Sequence, residues 1–201
     1  MAAHPFRLAL VGALFLAATP AAAQIKGSAG YEFLQAVRDA KGDDVISILS
    51  KPGSRIIDTR DPSTGEGALH IVTKRGDAKY LRYLLQQGAN PNLKDGQGNT
   101  PLILAVVTGH DELVPILTAA KANANLGNSG GETPLIMAVH RRNLDLVRTL
   151  VDAGADPDQT DIIAGKSARD YAREDTRTPA LTKYFDAIPR KQRRAVSGPT
   201  L

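Results

Sequence analysis

The sequence predicts an all-α repeat solenoid, and three observations predict it. Asn99-Thr100-Pro101-Leu102-Ile103-Leu104-Ala105 returns 33 residues on as Glu132-Thr133-Pro134-Leu135-Ile136-Met137-Ala138, with a weaker copy at Gly67-Ala68-Leu69-His70-Ile71-Val72 and a degenerate one, after a one-residue insertion, at Ser167-Ala168-Arg169-Asp170-Tyr171-Ala172. Other marks keep the same register: Gly76 with Gly109, Leu84-Leu85 with Leu150-Val151, and Gly88-Ala89-Asn90 with Gly154-Ala155-Asp156. Turn clusters Asp95-Gly96-Gln97-Gly98 and Asn128-Ser129-Gly130-Gly131 precede successive copies. A fixed period of this size marks stacked supersecondary units, each touching mainly its neighbours, so the product of the fold is an extended surface.

Taken from the N-terminus, the first stretch is a targeting signal. Arg7 precedes an almost wholly apolar run over residues 8–18, and Thr19-Pro20-Ala21-Ala22-Ala23 offers a cleavage site of small residues. This pattern predicts a secretory signal peptide over residues 1–23, cut before Gln24. The run falls short of the roughly 20 apolar residues of a membrane span. A linker over 24–30 leads into a repeat domain at 31–188, divided at about 31–60, 61–94, 95–127, 128–160 and 161–188. Of these five helix-turn-helix units two are clear, one is good and the two ends are degenerate, as units that face water on one side must be.

Within a unit, Thr100 and Thr133 are set to cap a first helix, with Pro101 and Pro134 at the first helical position, where a missing N–H costs nothing. Leu102, Ala105 and Val106 follow at helical spacing, and Leu113, Val114, Ile116 and Leu117 form the stripe of a second helix. Gly88 and Gly154 close that helix in the left-handed conformation. Lys121 stands where these glycines predict glycine, so strain is expected there. Arg142 replaces the glycine between helices. Pro115 falls early in its helix and is tolerable with Asp111 as the cap. Degenerate copies surround Phe33-Leu34-Gln35-Ala36-Val37 and Val45-Ile46-Ser47-Ile48-Leu49 at one end, while the last unit has lost its proline and leucine.

Together these residues resemble the ankyrin repeat, a helix, tight turn, helix and projecting β-turn finger, over roughly residues 31–185. The resemblance implies a protein-binding module that uses finger tips and the exposed ends of the first helices. The matching finger positions are Ser63, Thr64 and Glu66, then Gly96, Gln97 and Asn99, then Ser129, Gly130 and Glu132. The matching helix positions are Lys74 and Arg75, Val107 and Thr108, and His140 and Arg141. The helix ends read as basic flanks around a small neutral middle. The resemblance also makes His70 structural, bonded to the neighbouring turn, and His110 part of a Gly-His turn.

No catalytic constellation stands out, so the chain reads as a non-enzyme with no cofactor and no metal. The three histidines of the repeat region, His70, His110 and His140, hold three different repeat positions without ligand spacing. There is no cysteine and no Gly-x-Ser-x-Gly elbow, and Gly96-x-Gly98 lacks the Gly-Lys-Ser/Thr of a phosphate loop. Export, with no cysteine for disulfides, points to a bacterial-type protein in the periplasm. Its partner is then another protein, an envelope protein, and not nucleic acid. The chain itself is expected to be a monomer.

The formal charge of +4 is unevenly placed. Removing Arg7 leaves 24 basic and 21 acidic residues, while Lys183, Arg190, Lys191, Arg193 and Arg194 against Asp186 alone carry +4. The repeat body is therefore near neutral, and residues 189–201 form a basic, Pro-, Gly- and Ser-containing tail expected to be disordered. An alternative function follows from it, an envelope tether whose tail binds anionic lipid or polymer. Membrane contact is expected through this tail alone.

Overall fold

A computed structural model describes residues 27–51 and 56–190. The expected signal peptide, its cleavage site and nearly all of the basic tail lie outside the described residues. Ten α-helices among them fall into five antiparallel pairs. The pairs are α1 (Ala29–Arg38) with α2 (Gly42–Leu49), α3 (Ala68–Lys74) with α4 (Ala78–Gln86), and α5 (Pro101–Thr108) with a 3-10 turn (Asp111–Leu113) that runs into α6 (Val114–Ala119). Then come α7 (Pro134–His140) with α8 (Leu144–Asp152), and α9 (Ala168–Glu174) with α10 (Pro179–Asp186). First helices stack on first helices, α1 on α3, α3 on α5, α5 on α7 and α7 on α9. Among the described residues no helix is long and apolar enough to cross a membrane.

None of these helices would persist alone, because isolated helices shorter than about 12–15 residues are marginal in water. Caps and burial hold them. Thr100 Oγ1 accepts from the Ile103 N–H at 3.3 Å and Thr133 Oγ1 from the Ile136 N–H at 3.3 Å, with Pro101 and Pro134 at the helix start. Asp77 and Asn143 cap α4 and α8. One continuous core runs the length of the stack: Leu102, Ala105, Leu135 and Ala138 from first helices, Leu81, Leu84, Leu117, Val147 and Leu150 from second helices, with Phe33 and Phe185 closing the ends. Burying each large aliphatic side chain contributes about 1.5–3 kcal/mol.

One core position is mismatched. Thr73 occupies the place that Val106 and Val139 hold in the next two units, is fully buried, and its hydroxyl has no hydrogen-bond partner. An unmade hydrogen bond on a buried group costs about 1–3 kcal/mol. Thr73→Val, of nearly the same shape, is expected to stabilise the protein by about 1 kcal/mol, read as a higher urea midpoint. An unchanged or lower midpoint would show that the hydroxyl is satisfied in solution.

The positions that close the helices behave as the register requires. Gly88 and Gly154 are left-handed at φ +88 and +90, and Lys121 adopts φ +64 in the same place. Arg142 is also left-handed. A non-glycine residue there carries backbone strain of about 1–2 kcal/mol. Lys121→Gly is expected to raise stability by about 1 kcal/mol, checked by chemical denaturation. A drop would mean that Lys121 contacts outweigh its strain.

The sequence expectation for Pro115 needs correction. Asp111 does not cap the helix. The capping positions are Asp77 and Asn143, and the matching residue in the third unit is His110, which makes no side-chain cap bond. Without a cap, the segment opens as a 3-10 turn, closed by the Leu113 N–H on the His110 carbonyl at 2.9 Å. The α-helix proper begins at Val114, which leaves Pro115 in its first turn, where its missing donor is harmless.

Candidate interaction surface

The fingers are built from one repeated device. In each, an Asp or Asn at the start of the turn folds its side chain over the tip. Asp61 Oδ1 accepts from the N–H groups of Ser63 and Thr64, Asp95 Oδ1 from Gln97 and Asn99, Asn128 Oδ1 from Gly130 and Glu132, and Asp161 Oδ1 from Ala164 and Gly165, all between 2.6 and 3.2 Å. Such Asx turns replace the regular backbone pairing a short loop lacks. Hydrogen bonds from the Ser63 hydroxyl and N–H hold the Asp61 carboxyl well below the usual carboxylate range, with Arg38 of the first unit adding to it at 2.6 Å. The Tyr171 hydroxyl and the finger amides hold Asp161 low as well, and that bond pushes the Tyr171 pKa up to about 12.

The fingers are then tied to each other. The Gly96 N–H donates to the Thr64 carbonyl at 2.8 Å, Ser129 to Gln97 at 3.1 Å, and Ile162 to Gly130 at 2.8 Å. Each tip thus donates once to its predecessor. A Cβ at Gly98 would meet the Ser129 nitrogen at 2.6 Å, so this close approach requires glycine there.

A second ladder joins the segments that follow the second helices. Asp58 Oδ1 accepts from the Asn90 N–H, Asn92 Oδ1 from Asn123, and Asn125 Oδ1 from Asp156, at 2.7–2.8 Å. Asp158 is the next member. Its carboxylate is bonded by Arg169 at 2.8 Å. The guanidinium also donates to the Phe185 carbonyl and is buried. Arg169 stands where Leu69, Leu102 and Leu135 stand in earlier units, so a leucine position has become the terminal cap of the ladder. His70 belongs to the same class of interior polar device. Its Nδ1 accepts the Gly67 N–H at 3.0 Å, which leaves Nε2–H to donate to the Asn99 carbonyl of the next finger at 3.1 Å.

The structure divides the sequence-predicted contact residues in two. Lys74 pairs with Glu66. Arg75 Nη1 donates to the Val37 carbonyl of the preceding unit at 2.9 Å while its other arm meets Asp77 at 3.1 Å. Arg141, two repeats later, likewise bonds the preceding unit, with the Val106 carbonyl at 2.7 Å and Asp111 at 2.5 Å. Asn99 and Glu132 bond their own finger residues Asp95 and Asn128. Ser63 and Thr64 face Asp61 and Glu66, and Thr108 Oγ1 donates to the Leu104 carbonyl. The flanks that read as basic are therefore largely neutralised, and these side chains serve the fold first.

Val107, 53% exposed, and the exposed Gln97, Ser129 and His140 remain on the surface, with the His140 ring 4.5 Å edge-on to Tyr171 of the next unit. Sequence reading missed Ile162 and Ile163, 77% and 82% exposed on the last finger. Aligning Asp161 with Asp95 and Asn128 would have placed both at a tip. Among the described residues no group of three or more His, Asp or Glu side chains is arranged to hold a metal ion.

A family model described as ankyrin repeats in three copies matches residues 33–128 and again 69–161. The chain belongs to the ankyrin repeat family. Ankyrin repeats are, as a class, protein-binding modules. Similar stretches occur in the nuclear factor NF-kappa-B p110 subunit of Drosophila melanogaster, 50% identical over 46 residues, or 23% of this chain and 5% of the relative. The protein phosphatase 1 regulatory subunit 12A of Mus musculus is 39% identical over 62 residues, 31% of this chain and 6% of that one. A putative ankyrin repeat protein of Acanthamoeba polyphaga mimivirus is 33% identical over 84 residues, 40% and 11% respectively. The chain thus spans a small fraction of the length of these relatives, and what it shares with them is the ankyrin repeat itself.

Proposed function

We propose that this ankyrin repeat chain is a non-catalytic scaffold of the bacterial periplasm that binds an envelope protein through its fingers and concave groove. One observation carries the binding surface: a row of exposed side chains, Val107, Ser129 and His140 among them, sits on a backbone tied from finger to finger by hydrogen bonds. A surface held rigid before binding loses little entropy on binding. The export half of the reading rests on the apolar run over residues 8–18 and the small residues that follow it.

Two measurements test the two halves. The periplasmic fraction is expected to yield a mature chain whose mass corresponds to a start at Gln24, and a chain retained whole in the cytoplasm would defeat the export reading. Crosslinking in the envelope fraction is expected to trap one defined protein with the native chain. The combined variant Val107→Asp and Ser129→Arg should weaken capture by about tenfold or more, while helix content and melting stay unchanged. Equal capture by both would remove the groove from the argument. Arg75, Arg141 and Asn99 are unsuitable for this test, because their bonds hold the units together.

A further inference from the structure

The finger ladder has two ends, and they differ. Every donor in it is the residue that follows the turn-opening Asp or Asn: Gly96, Ser129, Ile162. Every acceptor is the residue that precedes a left-handed glycine: Thr64 before Gly65, Gln97 before Gly98, Gly130 before Gly131. At the first finger the donor position is Pro62, which has no N–H, so the ladder is closed on that side. At the last finger the acceptor position is Ala164, before left-handed Gly165. No described residue donates to its carbonyl.

The open end is also the apolar one. Ile162 and Ile163 lie beside that carbonyl and are the most exposed large hydrophobic residues described. Glycines on the neighbouring finger make room for them: a Cβ at Gly131 would come within 2.7 Å of Ile162 Cγ1, and one at Gly130 within 3.1 Å of Ile163 Cδ1. Charge near them is already paired, since Lys166 meets Glu174 at 2.8 Å and Asp161 is held by Tyr171. The inner ladder, by contrast, is sealed by Arg169. Unpaired backbone beside exposed aliphatic side chains is the condition under which another chain adds an extended segment to an edge.

The geometry points to the fifth finger as a docking edge for an extended, uncharged, aliphatic segment of a partner protein, which donates one backbone N–H to the Ala164 carbonyl and packs on Ile162 and Ile163. The occupant is not a second copy stacked head to tail, because the first finger presents Pro62 where the donor would have to be. The inference rests on the reading of this chain as a protein-binding module, but on a different part of it from the concave groove.

The probe is a library of random peptides displayed on phage, selected on the full mature chain and then tested on Ile162→Ser/Ile163→Ser and, separately, on Val107→Asp. Both isoleucines are exposed, so the serine variant should fold and melt as the native chain does. Selected peptides are expected to carry alternating aliphatic residues and to bind the serine variant about tenfold or more weakly. N-methylation of one backbone amide of such a peptide should abolish binding, and amide shifts should centre on residues 162–166. A pool that is acidic, or indifferent to the serine variant, overturns the docking edge. If that pool is instead weakened by Val107→Asp, the groove reading survives alone. Self-association that the serine variant abolishes would assign the edge to a second copy and also overturn the proposal. So would binding seen only in a chain ending at Arg190, since the chain's own last residues would then occupy the edge.

Discussion

Arg169→Ala is expected to lower the folding stability by about 3 kcal/mol, the lower end of the cost of breaking a buried ion pair, because Asp158 keeps some access to water. The guanidinium, carried by α9, bonds Asp158 at 2.8 Å and the Phe185 carbonyl of α10, and it is buried. Removing it leaves the Asp158 carboxylate without its partner and the Phe185 carbonyl with only the Ile188 N–H at 3.1 Å, and it opens a cavity where Leu69, Leu102 and Leu135 fill the equivalent space. Arg169→Leu with Asp158→Asn restores the pattern of the inner units, where asparagine stands at 92 and 125, and should recover most of the loss. Urea denaturation followed by circular dichroism reads both. Because a repeat stack is nearly one-dimensional, the single variant should also loosen α9 and α10 before the rest, as fast amide exchange there. A loss below about 1 kcal/mol would mean that the pair contributes only what a surface ion pair does.

Acid should weaken the stack through His70. Burial holds its imidazole pKa below the ordinary histidine value, and the Asn99 carbonyl, Asp95 and Glu66, which pull the other way, do not overcome it. The geometry agrees, since Nδ1 must stay unprotonated to accept the Gly67 N–H. The unfolded chain then binds the proton more readily than the folded one. Stability is full above the ordinary histidine pKa of about 6.5 and falls as the pH drops below it, with a slope of at most about 1.4 kcal/mol per pH unit. His70→Gln keeps an acceptor and a donor but does not titrate, so its stability between about pH 5 and 7 should be flatter. Parallel slopes for the two proteins would sink the assignment. Asp61, Asp161 and Asp170 are also held low, but carboxylates lose their contribution in a more acidic window, below about pH 4, so the two effects separate.

Much of the fold was legible because the repeat turns each position into several readings of one physical requirement. Lys121 was read as left-handed only because glycines stand 33 residues to either side of it. Thr100 and Thr133 were read as caps because proline follows each, and His70 as a structural bridge because the family resemblance placed it there. Asp111 was misread for the complementary reason. The register puts the cap at 77, 110 and 143, but a histidine at 110 hides it, and the neighbouring acid looked the better candidate. That acid faces Arg141 and Asn143 instead.

The candidate surface was less legible. Residue type and repeat position identified Lys74, Arg75 and Arg141 as exposed cations, but charge in a sequence carries no information about which carboxylate lies within reach. Ion pairs such as Lys74 with Glu66 join residues 8 apart, and Arg141 with Asp111 joins residues 30 apart. The same limit hid Arg169, which reads as a lost leucine until Asp158 and Phe185 are seen around it.

By itself, the sequence determined the class of this protein: the period, the capping threonines, the small and large core positions and the glycines that reverse the chain. These are local requirements of backbone and burial, and they repeat. Only the tertiary structure decided which polar groups are spent on the stack and which are left for a partner. Hydrogen bonds and ion pairs form between whatever atoms the packing brings within about 3 Å, and that distance is a property of neighbouring units, not of residues along the chain. The open Ala164 carbonyl beside two exposed isoleucines, and the proline that closes the opposite end, acquire meaning only once the fingers stand in a row.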